Sequence, residues 1–279
     1  MTHVRVGHNS SIGGDMTDTA QAPSAVKSAG RALEIIEHLA ATDAQTFPEL
    51  LGALGLPRSS AHGLLRTLVD AGWVELDPVS KRYSLGLKAW QIGQRYDGHR
   101  LLLEAGPALM RALTDETGET VQMARLDGVE NVYIAISPSP NPMRLASNVG
   151  MRLHAHATGI GKALLSTLDD DDVMRRLHQV AIPRLTARTI TDPDDILTVI
   201  EKGRDVGFFV DDEEFIDGCR CVAMPLTWPE ETGVAAALSI TMPTSRTDER
   251  WPHSMVEPLR RTVLRLREDM HLQGISIGN

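Results

Sequence analysis

The chain has 279 residues, 42% of them hydrophobic, and 28 Lys and Arg against 37 Asp and Glu give a formal net charge of −9. That length suggests two domains with apolar content for sizeable cores, and no apolar run approaches the ~18 residues of a membrane-spanning helix. The only two cysteines, Cys219 and Cys221, exclude a disulfide framework and fit a reducing, cytoplasmic compartment.

Residues 1–25 are rich in Gly, Ser and Thr and lack an apolar stretch, so they read as a disordered leader rather than a secretory signal, with Met16 as an alternative start. The charge is uneven. Residues 24–98 carry eight basic and eight acidic side chains, whereas residues 99–279 carry nineteen and twenty-seven. The acidity therefore belongs to the second half, and the first can still present a basic face.

From Ser28, Ala32, Leu33, Ile35, Ile36, Leu39 and Ala40 recur at helical spacing. Asp43 to Gln45 read as a turn. Thr46 and Glu49 form a capping box, Pro48 suits a first helical turn, and Gly55 suits a helix end. A second short helix follows, with Ser59 or Ser60 as N-cap, Ala61, Leu64, Leu65 and Leu68 inward, and Gly72 as its stop. Two short helices around a glycine turn make a helix-turn-helix, whose second helix fits the DNA major groove. Arg58, Ser59, Ser60, His62 and Arg66 are its candidate groove residues. Trp73–Leu76 and Arg82–Leu85 alternate as a hairpin around Asp77–Ser80, and Lys81 and Arg82 at its tip are candidate phosphate contacts. A helical protein-interaction module with a hairpin is the competing interpretation; the combination of elements favours DNA.

The run AGRALEIIEHLAA through LGLPRSSAHGLLRTLVDAGWVELDPVSKRYSLG resembles the IclR family of bacterial regulators. ETGETVQMARLDG, RLHAHATGIGKALL, RTITDPDDI, GFFVDDEEFIDGCRCVAMPL and AALSITMP continue the likeness over residues 26–270. Gly63 departs from it, because many members carry a basic residue after the histidine. The resemblance implies a winged helix-turn-helix over 26–86, a helical linker over 87–98 and a GAF/PAS-like α+β effector-binding domain over 99–272, with a tail over 273–279. It also implies dimers that often pair into tetramers.

Leu87 to Tyr96 continue a helical pattern, and HRLLLEAGPALMRALTDETG forms a long amphipathic helix that Pro107 should kink or break. This connector either transmits subunit geometry or is a plain packing helix. TVQMARL and NVYIAI read as strands about Asp127-Gly128, a helix follows HATGIG, and Asp192-Pro193 opens another. GFFV, CRCVAMPL and GVAAALSITMP are strands, Asp211 and Asp212 begin an acidic turn, and a final helix runs from about Thr247 to Met270. Strands and helices intermixed around antiparallel pairs make the domain α+β.

Four segments are candidates to converge on a pocket. Ala157 to Gly161 offer backbone N–H groups at a helix start, Asp211 leads the acidic turn, Cys219 and Cys221 share one strand face, and Ser239 and Thr241 share another. The family resemblance assigns effector binding to Gly159, Ile160, Asp211, Cys221, Ser239 and Thr241, with apolar walls from Met143, Leu153 and Cys219. Such a lining suits a small organic acid, including an aromatic one. Two other chemistries compete. His154, His156, Cys219 and Cys221 are zinc-type ligands, but the pairs lie far apart in sequence. A cysteine in a GAF-like pocket could be a nucleophile or redox centre if its pKa were lowered. The expected partners are double-stranded DNA with an inverted-repeat operator, a small-molecule effector and further copies of the chain; no cofactor, enzyme activity or membrane is expected. The overall expectation is a repressor of a catabolic operon.

Overall fold

The computed structural model describes residues 26–96, 100–227 and 235–276, without the side chains of 101 and 271–276. The expected leader, residues 97 and 98 of the linker, the polar turn at 228–234 and the last three residues of the tail lie outside the described residues. The chain divides into two compact units between Tyr96 and Asp97.

In the first unit, α1 (Lys27–Ala41), α2 (Phe47–Leu54) and α3 (Arg58–Asp70) pack around Ile35, Leu39, Leu50, Leu65 and Leu68. The capping box starts α2, with the Thr46 amide donating to Glu49 Oε2 at 2.7 Å. Gly55 and Gly72 take φ of 60° and 79°, the left-handed region that stops each helix tightly. The N-cap of α3 differs from expectation. The helix starts at Arg58 after Pro57, and Ser60 turns its hydroxyl back to the Pro57 carbonyl at 3.1 Å. Proline's fixed φ sets the entry that a serine cap was expected to supply.

The hairpin forms from β2 (Val74–Leu76) and β3 (Arg82–Leu85). Asp77 Oδ1 accepts from the amides of Val79 and Ser80, and Lys81 takes φ 56°. Gln45 is not part of the expected turn: with Thr46 it forms β1, which pairs with β3 and widens the wing to three strands in the order β1-β3-β2. The short α4 (Leu87–Gly93) closes this unit.

The second unit is built on a six-stranded antiparallel sheet, and the α+β expectation holds. Its strands are β4 (Thr120–Asp127), β5 (Glu130–Ser137), β6 (Arg152–His154), β7 (Phe209–Asp212), β8 (Cys219–Thr227) and β9 (Ala236–Pro243), in the order β6-β5-β4-β9-β8-β7. One face carries Val121, Met123, Val222, Met224, Leu238 and Ile240, covered by α5 (Arg100–Thr117) and a C-terminal helix at His253–Ser276. Helix α5 runs unbroken through Pro107, so of the expected kink or break the break does not occur. Pro107 stands on its exposed side, where the backbone carbonyl left without a donor can be solvated. The C-terminal helix begins six residues later than expected because Asp248 caps a turn there, accepting from the Arg250 amide and the Ser254 hydroxyl.

The opposite sheet face carries Ala124, Tyr133, Leu153, Phe209, Cys221, Ala223 and Ala237 under α6 (Gly159–Leu165). Behind α6 lie α7 (Asp170–His178) and α8 (Pro193–Val206), joined through Leu165, Val173, Leu177, Ile196 and Ile200. Helix α7, capped by Asp169, was not anticipated; α8 starts on Asp192 as expected. The C-terminal helix is α9 in chain order. Sandwiched between a sheet and two helices, α6 is buried on every side.

Candidate nucleic-acid interface and ligand site

In the first unit, the inward residues of α3 leave Arg58, Ser59, His62, Gly63, Arg66 and Thr67 exposed, with Ser60 half-buried. Two of these are held by an aromatic ring absent from the sequence expectations. The Arg58 guanidinium lies 5.8 Å from the centre of the Phe47 ring, and His62 meets that ring edge-on at 6.0 Å. Phe47 opens α2, so the capping box that starts α2 also sets these two side chains. Ser60 is within reach of Arg31 in α1, at 3.5 Å. Arg66 pairs loosely with Asp70 at 3.7 Å, and both are well exposed. The two wing cations separate. Lys81 is exposed at the turn, whereas Arg82 Nη1 donates to the Ala44 carbonyl at 2.7 Å and to Glu49 at 3.2 Å. Arg82 thus ties the wing to the start of α2.

In the second unit, antiparallel register decides which expected ligand residues meet. Cys221 of β8 pairs with Asp211 of β7 on one side and with Thr241 of β9 on the other. Ser239 follows on the same face, opposite Ala223. Asp211 and Asp212 are the last residues of β7, not the start of a turn. Asp211 Oδ1 instead accepts the amides of Glu214 at 2.7 Å and Phe215 at 3.3 Å, organising the bend that follows. Gly159 packs directly onto this spot: a Cβ there would stand 3.1 Å from Cys221 Sγ and 3.2 Å from the Asp211 amide nitrogen. Of the α6 amides, Gly161 donates to Thr158 Oγ1 at 3.1 Å and Ile160 to the sulfur of Cys221, so both are already engaged. Leu153 and Ile160 are buried on this face, and Cys219 is half-buried. Met143 is not brought in; its side chain is 67% exposed.

Burial shapes the chemistry. It raises the Asp211 carboxyl to about 7, against an attraction to Lys162 that pulls the other way. Burial also pushes the Cys221 and Cys219 thiols up to about 12, and the charge of Asp211 adds to this. A thiol held protonated is a poor nucleophile. The Tyr133 hydroxyl is raised as well, first by burial and then by the neighbouring cysteines and Asp211. Three polar residues here had gone unremarked: Tyr133, Gln122 and Lys162. Gln122 Oε1 accepts from Ser239 Oγ at 3.1 Å and Thr241 Oγ1 at 3.0 Å. Lys162, 1% exposed, donates to Glu214 Oε1 at 2.6 Å and bolts α6 to the bend after β7. The one sequence signal was a polar residue at an inward position of an apolar segment. Among the described residues, no group of three or more His, Cys, Asp or Glu is placed to hold a metal ion, and His156 Nε2 is engaged with the Pro183 carbonyl at 3.1 Å.

The family description "Bacterial transcriptional regulator IclR C-terminal" matches residues 95–267, and "IclR helix-turn-helix domain" matches residues 28–78. The chain is 31% identical over 243 residues to the HTH-type transcriptional regulator XynR of Escherichia coli (strain K12), covering 86% of this chain and 96% of that protein. It is 34% identical over 236 residues to the transcriptional repressor IclR of the same organism, covering 83% and 86%. The crystal structure of the Thermotoga maritima IclR shares the fold, with a TM-score of 0.67 at 23% identity over 88% of this chain and 98% of that one. No helix among the described residues is long and apolar enough to cross a membrane. The chain belongs to the IclR family of bacterial transcriptional regulators: it is a ligand-responsive, DNA-binding regulator and not an enzyme.

Proposed function

We propose that the chain is a cytoplasmic repressor of a catabolic operon, released from its operator by a small organic acid. The observation that carries this reading is the polar island at Asp211, Cys221, Ser239 and Thr241, contributed by three adjacent strands to a sheet face that also carries the apolar residues Ala124, Leu153, Phe209, Ala223 and Ala237. Buried polar groups are costly unless they are used, and a few converging ones on an apolar wall describe a small-molecule site. On the same face, Thr120 and Ile136, with Pro138, Pro142 and residues 144–149, line an open cavity of about 590 Å³, which none of the four island residues lines. That volume suits a small acid whose body lies along the apolar wall.

On the DNA side, α3 presents Arg58, Ser59, His62 and Arg66 to the major groove, and Lys81 meets a phosphate. One winged helix reads one half-site. A homodimer, or a dimer of dimers, therefore reads an inverted repeat with half-sites about one helical turn, or a multiple of it, apart. The acid acts only through its preference for the arrangement that does not fit DNA, and by linkage the operator weakens acid binding by the same factor.

The test combines a thermal-shift screen of small aliphatic and aromatic acids with DNA binding to the chain's own promoter. An acid that raises the melting temperature and weakens promoter binding, with both effects lost in Ser239→Ala, supports the reading. An acid that stabilises Ser239→Ala equally, or leaves promoter affinity unchanged, refutes it.

A further inference from the structure

One buried group on the ligand face has its two ends in opposite situations. Gln122 of β4 is 0% exposed and pairs with Ile136 of β5 and Ser239 of β9. Its carbonyl oxygen takes the hydroxyls of Ser239 and Thr241, which fills both of its lone pairs. Both hydroxyls also lie within reach of the Cys221 sulfur. The amide nitrogen Nε2 is then left with two hydrogens, buried, and without a hydrogen-bond partner. An unmade buried donor costs as much as a lost hydrogen bond, and an apolar residue at this strand position would avoid the cost. The neighbours of Gln122 on the sheet border a cavity that Gln122 itself does not line. Thr120, two residues earlier on the same face, and Ile136, its cross-strand partner, both line the 590 Å³ cavity.

We propose that Gln122 is the specificity-determining residue of the ligand site: its Nε2 donates to a carboxylate or keto oxygen of the effector and so selects molecules that bring an acceptor. This rests on the reading of that sheet face as the effector site. In this orientation the amide offers a ligand two N–H donors and no acceptor. An acid therefore enters, whereas the amine of the same skeleton, which brings only N–H groups, is refused.

The experiment uses the full chain, by thermal shift and calorimetry, with benzoate, 3-phenylpropionate, butyrate and 2-oxobutyrate as probes, and benzylamine and butylamine as donor-only controls. Gln122→Glu keeps an acceptor for the two hydroxyls and replaces the amide hydrogens by an oxygen. Any acid that stabilises the unaltered chain is expected to bind Gln122→Glu at least about tenfold more weakly near pH 8. Part of that loss should return near pH 5.5, where a protonated glutamate donates again; a packing role would not give this recovery. Should Gln122→Glu not fold, Gln122→Met is expected to show the same loss without recovery. Acid affinity within about twofold of the unaltered chain in either folded variant overturns the proposal, as the reverse amide orientation would produce. If that retained affinity is lost in Ser239→Ala, the effector site stands and Gln122 alone falls. Equal binding of the amines, or no acid bound by the unaltered chain, overturns it too, and the latter also refutes the organic-acid reading.

Discussion

Replacing Lys162 by methionine isolates the contact that fastens α6 over the sheet face that carries Asp211 and Cys221. Lys162 is 1% exposed, and its ammonium meets Glu214 Oε1 at 2.6 Å; the other oxygen, Glu214 Oε2, has no hydrogen-bond partner among the described residues. Methionine fills much the same space but leaves the Glu214 carboxylate, 11% exposed at its side chain, without its cation. Breaking a buried pair from one side costs about 3–5 kcal/mol, because the remaining charge stays desolvated. For a unit of this size each kcal/mol moves the melting temperature by about 2–4 °C, so the fall should be roughly 6–20 °C. Replacing both partners, with Lys162→Met and Glu214→Leu together, removes the stranded charge and should recover most of the loss. Urea unfolding of the four proteins at one fixed concentration gives the interaction energy directly. A single-variant loss below about 1 kcal/mol, the level of an exposed pair, would refute the claim that this pair is buried and holds the helix.

Asp211 predicts a pH signature. Its carboxyl is raised to about 7 from an ordinary 3.8, so the stability it contributes is complete below 3.8 and is lost as the pH rises toward 7. The advantage of the unaltered chain over Asp211→Asn should thus decline by a few kcal/mol between about pH 4 and 7 and then level off; a pH-independent difference would contradict the assignment. At the wing, Lys81→Ala should reduce the salt slope of DNA binding by about one without changing stability. Arg82→Ala should instead lower the melting temperature, since Arg82 spends its guanidinium on Ala44 and Glu49; equal changes in slope for both would show that Arg82 also contacts phosphate. Arg66→Ala should cost about 1–3 kcal/mol of affinity for promoter sites with stability nearly unchanged, and an equal loss on unrelated duplexes would remove Arg66 from base reading.

The elements the sequence revealed are those made by neighbours. The Thr46–Glu49 capping box, the stops at Gly55 and Gly72, the Asp77 turn and the inward stripe of α3 each depend on residues a few positions apart, where spacing is geometry. The family likeness added the expected ligand residues, and strand alternation correctly put Cys219 with Cys221 and Ser239 with Thr241. Short elements escaped: β1 has two residues and is a strand only because β3 lies beside it, and α7 has nine residues with just Val173 and Leu177 buried.

What the amino-acid order determined alone was a set of local helices, turns and amphipathic strands, together with the exposed polar surface of α3. Tertiary structure decided which of them meet. Lys162 finds Glu214 across 52 positions, Gln122 finds Ser239 across 117, and Arg82 leaves the tip of the wing to hold Ala44. Sheet order and register place such partners, and those follow from how whole layers bury their apolar faces, which no local spacing encodes.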